Sequence, residues 1–390
     1  MKSLVFFDDA EVSNLFPLTL TRPAAGLRAG VLTIAEKWAR LLGCNVLGYR
    51  GQAHLSEVFT DLPDAEVLIN GRLLPNAGLI KKAASLLPGE KVLSSDGLIL
   101  MEKSGDTTTE SIWSEAVRLI RRPYDLFALN HEEICSDFEW ITRGRESEPL
   151  GEDNRVIGPH PVFLEPGAKA YCSIFNTTDG PIYLAADSEV MEGCMVRGPF
   201  SLGEHSQLRM GARIYTGTSI GPHCRIGGEV SNSVVQGFSN KGHEGYLGNS
   251  VIGAWCNIGA DSNNSNLKNN YDEVKLWNYR SGRFDKTGLQ FCGLIMGDHS
   301  KCGINTMFNT GTVVGVACNV FGAGFPRNFI PDFAWGGASG FVTYRVNDAL
   351  QTARRVMARR KITPTEADEN LLRAVFDMTA EGRFWERSES

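Results

Sequence analysis

The most informative run of chemically able side chains is Lys241-Gly242-His243-Glu244-Gly245-Tyr246-Leu247-Gly248, followed by Asn257-Ile258-Gly259-Ala260, with Asn257 fourteen residues after His243. An imidazole with an ordinary pKa near ~6.5 is well matched to proton transfer at neutral pH. A lone histidine is by default a surface residue, so the surroundings of His243 must carry the argument. The other reactive types are scattered. The seven histidines include no H-E-x-x-H, and the nine cysteines form no C-x-x-C pair. That odd count argues against a disulfide framework and a thiolate zinc site. No metal site is expected, and the cysteines read as reduced small hydrophobes of a cytoplasmic protein. The basic run Arg354, Arg355, Arg359, Arg360 and Lys361 reads as a solvated helix face. Its functional alternative is a contact with a phosphate-bearing cofactor or a neighbouring subunit.

The elements that must position these groups announce themselves as a repeat. Stepping by six from Leu184 meets Val190, Val196, Leu202, Leu208, Ile214, Ile220 and Ile226; the phase returns at Ile252 and Ile258, and again at Met296, Cys302, Phe308, Val314 and Val320. Glycine often follows, as in Ile226-Gly227, Ile252-Gly253 and Ile258-Gly259. A period of six suits neither a helix nor a plain strand. It suits a short strand plus a tight corner, one aliphatic side chain per face pointing inward, with three faces to a coil and coils stacked at the ~4.8 Å strand spacing. Fifteen hexads make about five coils, and the ragged region 156–182 adds more. Two stretches interrupt the phase, 227–246 and the asparagine-rich 260–295, and are expected as loops expelled from the solenoid, where binding groups collect.

The flanks differ. Residues 1–150 lack the hexad; strands at 5–7, 46–49 and 67–69 and helices at 31–42 and 110–120 predict a small α/β domain. The charged stretch 143–154 is the expected linker, the solenoid is expected over 151–340, and 341–390 reads as helical, with a helix over 346–360. Thr363-Pro364-Thr365-Glu366 looks like a capping box opening a second helix through Met378. The 390 residues, 42% hydrophobic and 22% charged, describe an ordinary soluble protein. A net charge of -6 removes the footprint of a general nucleic-acid binder. No apolar run approaches the ~20 residues of a membrane span, and no signal peptide is read at the start.

The motif at 243–260 resembles the acetyltransferase half of the bifunctional N-acetylglucosamine-1-phosphate uridyltransferase (GlmU) family, which carries H-x-x-Y-[IL]-G and then N-I-G-A at this spacing. Asn270-Tyr271-Asp272 matches a second family element, displaced by a few inserted residues. The likeness covers roughly 190–330 well and implies a left-handed parallel β-helix of hexapeptide repeats, an exception to the right-handed crossover rule. It implies His243 as the general base for the amine of a glucosamine 1-phosphate-like acceptor. Tyr246 and Asn257 would hold the sugar, Asn270 and Tyr271 would stand beside the acetyl thioester, and acetyl-CoA would be the donor. Lys275 is a further candidate substrate contact on the same insertion. It also implies a homotrimer with sites in clefts between subunits. The family's phosphate-binding lysine pair is replaced here by Ser231-Asn232-Ser233, and Arg209, in Leu208-Arg209-Met210-Gly211-Ala212, matches a family arginine able to take the phosphate.

The N-terminal region is similar to sugar-phosphate nucleotidyltransferases through Phe16-Pro17-Leu18-Thr19-Leu20-Thr21-Arg22-Pro23. Where those enzymes have a glycine-rich phosphate cradle this chain has Asp8-Asp9-Ala10-Glu11, and Arg72 stands where they place a magnesium aspartate. Carboxylates repel a triphosphate, and a guanidinium is no ligand for magnesium. A shortened, inactive relative is expected, with Arg22 and Arg28 as its remaining anion binders and magnesium relevant only if the domain were active. The pattern as a whole is similar to a divergent GlmU-like group assigned to the sugar nucleotidyltransferases. The expected activity is an acetyl-CoA-dependent N-acyltransferase on an amino-sugar phosphate; the alternatives are a sugar-1-phosphate nucleotidyltransferase and a non-catalytic sugar-nucleotide scaffold.

Overall fold

All fifteen residues of the six-residue phase, Leu184 to Val320, are buried in one hydrophobic core. The computed structural model describes residues 3–59, 67–106 and 108–389. In it the chain divides into two units, one of residues up to 27 and 32–122, the other of 28–31 and 123 onward.

The second unit is a three-faced parallel solenoid. Its first face stacks nine strands from Val162–Leu164 to Phe329–Ile330; the second runs from Lys169–Ala170 to Ala334–Gly337; the third runs from Arg155–Ile157 to Tyr246–Gly248. Leu184 lies beside Leu202 and Leu202 beside Ile220, the eighteen-residue coil that three hexads require. Past Ile220 the coils shorten: Ile220 pairs with Val235, and Val235 with Ile252.

This shortening corrects the reading of 227–246 as an expelled loop. Val230, Val235, Lys241 and Leu247 take the inward places beside Ile214, Ile220, Ile226 and Val230. Cutting residues from the corners shifts the phase without breaking the coil. The second interruption is a true excursion, and a narrower one than 260–295. Asn264 still pairs with Phe308 and Leu294 resumes the first face, so 265–293 leaves the coil. It carries an antiparallel hairpin, Lys275–Asn278 with Arg283–Lys286.

The hairpin is fastened to the later coils. Trp277 stacks on Phe329 with ring centroids 4.3 Å apart, and Tyr279 Oη donates to Asp332 Oδ2 at 2.8 Å. The other oxygen of Asp332 accepts from the Val316 amide, and burial raises this carboxyl to a pKa of about 6. The folded state therefore holds a proton that the unfolded chain releases between about pH 4 and 6, and stability contributed by this group falls as pH rises through that window. Asp332→Asn is expected to remove that slope, worth about 3 kcal/mol across the window. Thermal unfolding of both proteins from about pH 4 to 7 checks this; parallel curves would contradict it.

At the far end, Gly340–Thr343 turns back antiparallel on Ala334–Gly337 and Trp385 packs against the core, covering the last coil. Two helices follow, Val346–Ala358 and Glu366–Met378. The capping box lies two residues later than expected, with Thr365 as the cap and Asp368 as its partner. Pro364 therefore precedes the helix rather than opening it.

The first unit is a six-stranded mixed sheet in the order Asn45–Arg50, Ser3–Phe7, Val67–Asn70, Ile99–Lys103, Glu90–Leu93, Thr109–Ile112. Helix Ile34–Leu42 starts at a Thr33/Glu36 capping box and stops at Gly43 in the left-handed region, φ 62°. The helix expected over 110–120 does not form. Thr109–Ile112 pairs with Glu90–Leu93, and the backbone beyond it is taken by Arg72 and Leu74: Ile120 N donates to Arg72 O and Leu74 N to Arg118 O. Those sheet-edge partners outweigh the helical spacing of the apolar residues.

Candidate functional site

His243 stands exposed on a corner of the solenoid that follows a shortened one. In the preceding coil the chain passes from inward Ile226 to inward Val230 in four residues, whereas Lys241 to Leu247 takes six. The full-length corner at 242–245 thus stacks on a shortened one, and its backbone carbonyls need donors.

Lys241 supplies them. It occupies an aliphatic place in the core, 2% exposed, and its Nζ donates to Gly227 O at 3.0 Å and to His243 O at 3.1 Å. The stem lies along the interior while the amine turns out to the corner. Burial lowers its pKa to about 8, partly offset by Glu244. Gly228, at φ +69°, is needed twice over, because a Cβ there would also lie 2.7 Å from the lysine Nζ. Glu244 pairs with Arg213 at 2.5 Å, fixing the other side of the corner.

Tyr246 begins the next strand and lies across it. A Cβ on Gly248 would stand 2.1 Å from the phenol oxygen, so the glycine two residues on, on the same strand face, is what lets the ring lie flat. Asn266 Nδ2 donates to the phenol oxygen at 2.9 Å and to Asn249 Oδ1 at 2.7 Å, and Asn263 Oδ1 accepts from the Tyr246 amide at 2.8 Å. Burial raises the Tyr246 pKa, keeping the phenol neutral.

Beside this corner, glycines leave a strip of bare backbone. Gly227 lies against Gly242 and the Cβ of Arg209, Gly259 lies against Gly303, and a side chain on Gly242 would meet open space. Arg209 is exposed at one end of the strip. Asn257 points outward from the second face, exposed, in register with Asn240 and Lys301. His243, Tyr246, Asn257 and Arg209 span four successive coils, with Arg209 two strands before the His243 coil and Asn257 one strand after it.

The remaining candidates lie elsewhere in the chain. Asn270 and Tyr271 are exposed on the excursion, where Asn270 Oδ1 accepts from Asp272 N and Gln290 Nε2 donates to Tyr271 O. Lys275 is exposed on the hairpin, its backbone against Gly311, on coils after the His243 coil. Arg22 is half-buried along Gly26 in the first unit. Arg28 belongs to the second unit, 9% exposed, with its amide donating to Gln236 Oε1 at 2.7 Å and its guanidinium to Val31 O.

In the first unit the two departures from a nucleotidyltransferase meet each other. Arg72, 1% exposed, forms an ion pair with Asp9 at 2.5 Å, and Asn70 Nδ2 donates to the same carboxylate oxygen at 2.7 Å. Asp8 accepts from the Ala24 amide and from Gln52, and burial raises its pKa to about 6. A guanidinium where magnesium would be liganded, already neutralised by the neighbouring carboxylate, does not fit a metal-triphosphate.

The motif assigns no role to Lys241, and Asn266 reads from sequence only as a loop hydrogen-bonder, which it is. A signal for the lysine existed: Lys241-Gly242 repeats the aliphatic-glycine pair of Ile226-Gly227 and Ile258-Gly259, which places Lys241 in an inward slot.

Residues 4–146 match the family described as sugar nucleotidyl transferase. The bifunctional protein GlmU of Methanocaldococcus jannaschii is 36% identical over 90 residues, 23% of this chain and 21% of that protein. GlmU of Synechococcus elongatus is 25% identical over 186 residues, 46% of this chain and 37% of its own length, and that of Thermus thermophilus is 28% identical over 154 residues, 33% of each. The matched stretch is thus well under half of these relatives' length. Among solved structures, the polySia specific acetyltransferase NeuO aligns over 54% of this chain and 99% of its own at 15% identity, TM-score 0.32. An Arabidopsis UDP-N-acetylglucosamine acyltransferase aligns over 55% and 80% at 14% identity, TM-score 0.21. The chain is thus similar over residues 4–146 to the sugar nucleotidyl transferase family, and over part of its length to GlmU proteins.

Proposed function

We propose that the chain is an acyltransferase that moves an acetyl group from acetyl-CoA to the amine of an amino-sugar phosphate. The observation that carries this reading is the full-length corner stacked on a shortened one, which presents His243 to solvent, has its backbone held by Lys241 and leads into Tyr246 at the start of the next strand. An ammonium cannot attack a thioester, and a neutral amine must shed a proton as its nitrogen bonds to the thioester carbon. His243 would take that proton as the C–N bond forms, and would return it to the sulfur as the C–S bond breaks, leaving free coenzyme A and the amide. Tyr246 and Asn257 would hold the sugar and Arg209 its phosphate. Backbone N–H groups at the bare corner are suited to the tetrahedral oxyanion. Asn270, Tyr271 and Lys275 ride on the excursion, so we read the site as completed between subunits of a homotrimer, in the cytoplasm. Among the described residues no helix is long and apolar enough to cross a membrane.

The test is thiol release from acetyl-CoA with glucosamine 1-phosphate. Turnover that depends on His243 supports the reading; its absence across a panel of amino sugars would leave a sugar-nucleotide-binding scaffold. A sugar-1-phosphate nucleotidyltransferase is favoured by the family matched at 4–146 and opposed by the Asp9–Arg72 pair. Pyrophosphate release from a nucleoside triphosphate, a sugar 1-phosphate and magnesium would establish it instead.

Lys241→Met separates positioning from folding. Methionine keeps the apolar stem and removes a buried charge, a change often neutral for stability. The corner carbonyls lose their donor, so kcat is expected to fall about tenfold, the cost of about one charge-assisted hydrogen bond, with KM little changed. Steady-state kinetics beside a melting curve decide; a lowered melting point with unaltered kcat would refute it.

A further inference from the structure

The basic run past helix Val346–Ala358 reaches the solenoid. Along the second face Gln207, Arg225, Asn240 and Asn257 stand outward on successive strands. Arg360 lays its guanidinium on this column, with Nη2 3.1 Å from Asn240 Oδ1 and 3.3 Å from His223 O. Arg225, one strand from Asn240 and so about 4.8 Å along the face, donates to His205 O at 2.8 Å and Cys224 O at 2.9 Å. Two guanidiniums therefore share one patch.

Their charge is only partly balanced there. All four acceptors are neutral, and among the described residues neither arginine forms an ion pair. Glu189, the acid facing the patch from the same column, is held by Gln207 Nε2 at 2.7 Å, and Glu204 lies against His205 at 3.4 Å. Arg360 Nε is buried without a hydrogen-bond partner. Burial lowers the pKa of Arg225, and the charges of Arg360 and Arg209 lower it further, with Cys224 and Glu189 partly offsetting them; His223 is lowered by burial, with His205, Arg360 and Arg225 adding to it and Glu204 opposing. Like charges held together with an unused donor are matched by a multiply charged anion with several acceptor oxygens.

We propose that Arg225 and Arg360 form a binding site for a phosphoryl group. Resting on the acyltransferase reading, the group belongs either to the nucleotide end of the acyl donor or to the acceptor's sugar phosphate. The site lies about two strand spacings, ~10 Å, from Asn257, within reach of either molecule. It also gives the C-terminal basic run a role beyond solvation.

The experiment is calorimetric titration of the full chain with two probes, adenosine 3′,5′-bisphosphate and glucosamine 1-phosphate, without turnover. One probe is expected to bind wild type and to bind Arg360→Gln and Arg225→Gln at least about tenfold more weakly, the usual cost of a lost charge-assisted contact. Arg355→Gln, on the exposed outer helix face, should bind as wild type. The probe that responds names the source of the phosphoryl group. Should a glutamine variant fail to fold, Arg360→Lys decides: it keeps the charge and loses the fork, so weaker binding supports the site and unaltered affinity overturns it. Wild type binding neither probe at about millimolar concentration, or both glutamine variants keeping full affinity, overturns it as well. Because binding is read directly, absent acetyl transfer would count against the acyltransferase and leave the anion site standing; normal transfer with unaltered binding would do the reverse.

Discussion

His243→Ala is expected to cut acetyl transfer by ~10²-fold or more, the usual loss with a general base, without changing the melting temperature. The imidazole is exposed, so its removal leaves no cavity. The backbone that carries it is held by other groups: Lys241 on the His243 carbonyl, and Arg213 on Glu244. The corner should therefore stay in place while the proton acceptor disappears, and the loss should fall on kcat rather than KM. Thiol release and a melting curve on the same preparation provide the check. An unaltered rate would remove His243 from the chemistry, and with it the main support for acyl transfer.

Arg72→Ala is expected to destabilise the N-terminal unit by about 3–5 kcal/mol, the cost of leaving one member of a buried ion pair alone. Arg72 is 1% exposed and Asp9 16%, so water screens the pair little. Asp9→Ala alone should also destabilise, leaving a buried guanidinium, and the double variant should lose clearly less than the two single losses together. Denaturant unfolding followed through hydrogen exchange of the Val67–Asn70 amides isolates this unit from the solenoid. Additive losses would mean that the pair does not couple. None of the three variants is expected to release pyrophosphate, since removing the pair does not restore a glycine cradle or a metal carboxylate.

Much of the solenoid was legible because its rule is local. Each hexad places one aliphatic side chain inward, and the eighteen-residue register follows from three faces. Where the rule bends, spacing alone misleads. Residues 227–246 lose the phase and keep the coil, because shortened corners still deliver Val230, Val235 and Lys241 to the interior. The stretch 110–120 has helical spacing, and its fate was decided by edge strands and loop carbonyls remote in sequence.

Period and spacing are properties of neighbouring residues, so the repeat, most inward residues and the motif joining a histidine, a tyrosine and an asparagine are readable along the chain. The sequence also showed that the phosphate cradle and metal aspartate had been replaced. What those replacements do is visible in three dimensions alone. That Asp9 and Arg72 neutralise each other, that a lysine inside the coil holds the carbonyl of His243, and that Arg360 meets Arg225 are contacts between residues distant in sequence or on separate strands. Ion pairs and hydrogen bonds act over a few ångströms in space, and no periodicity along the chain encodes which two groups will be brought that close.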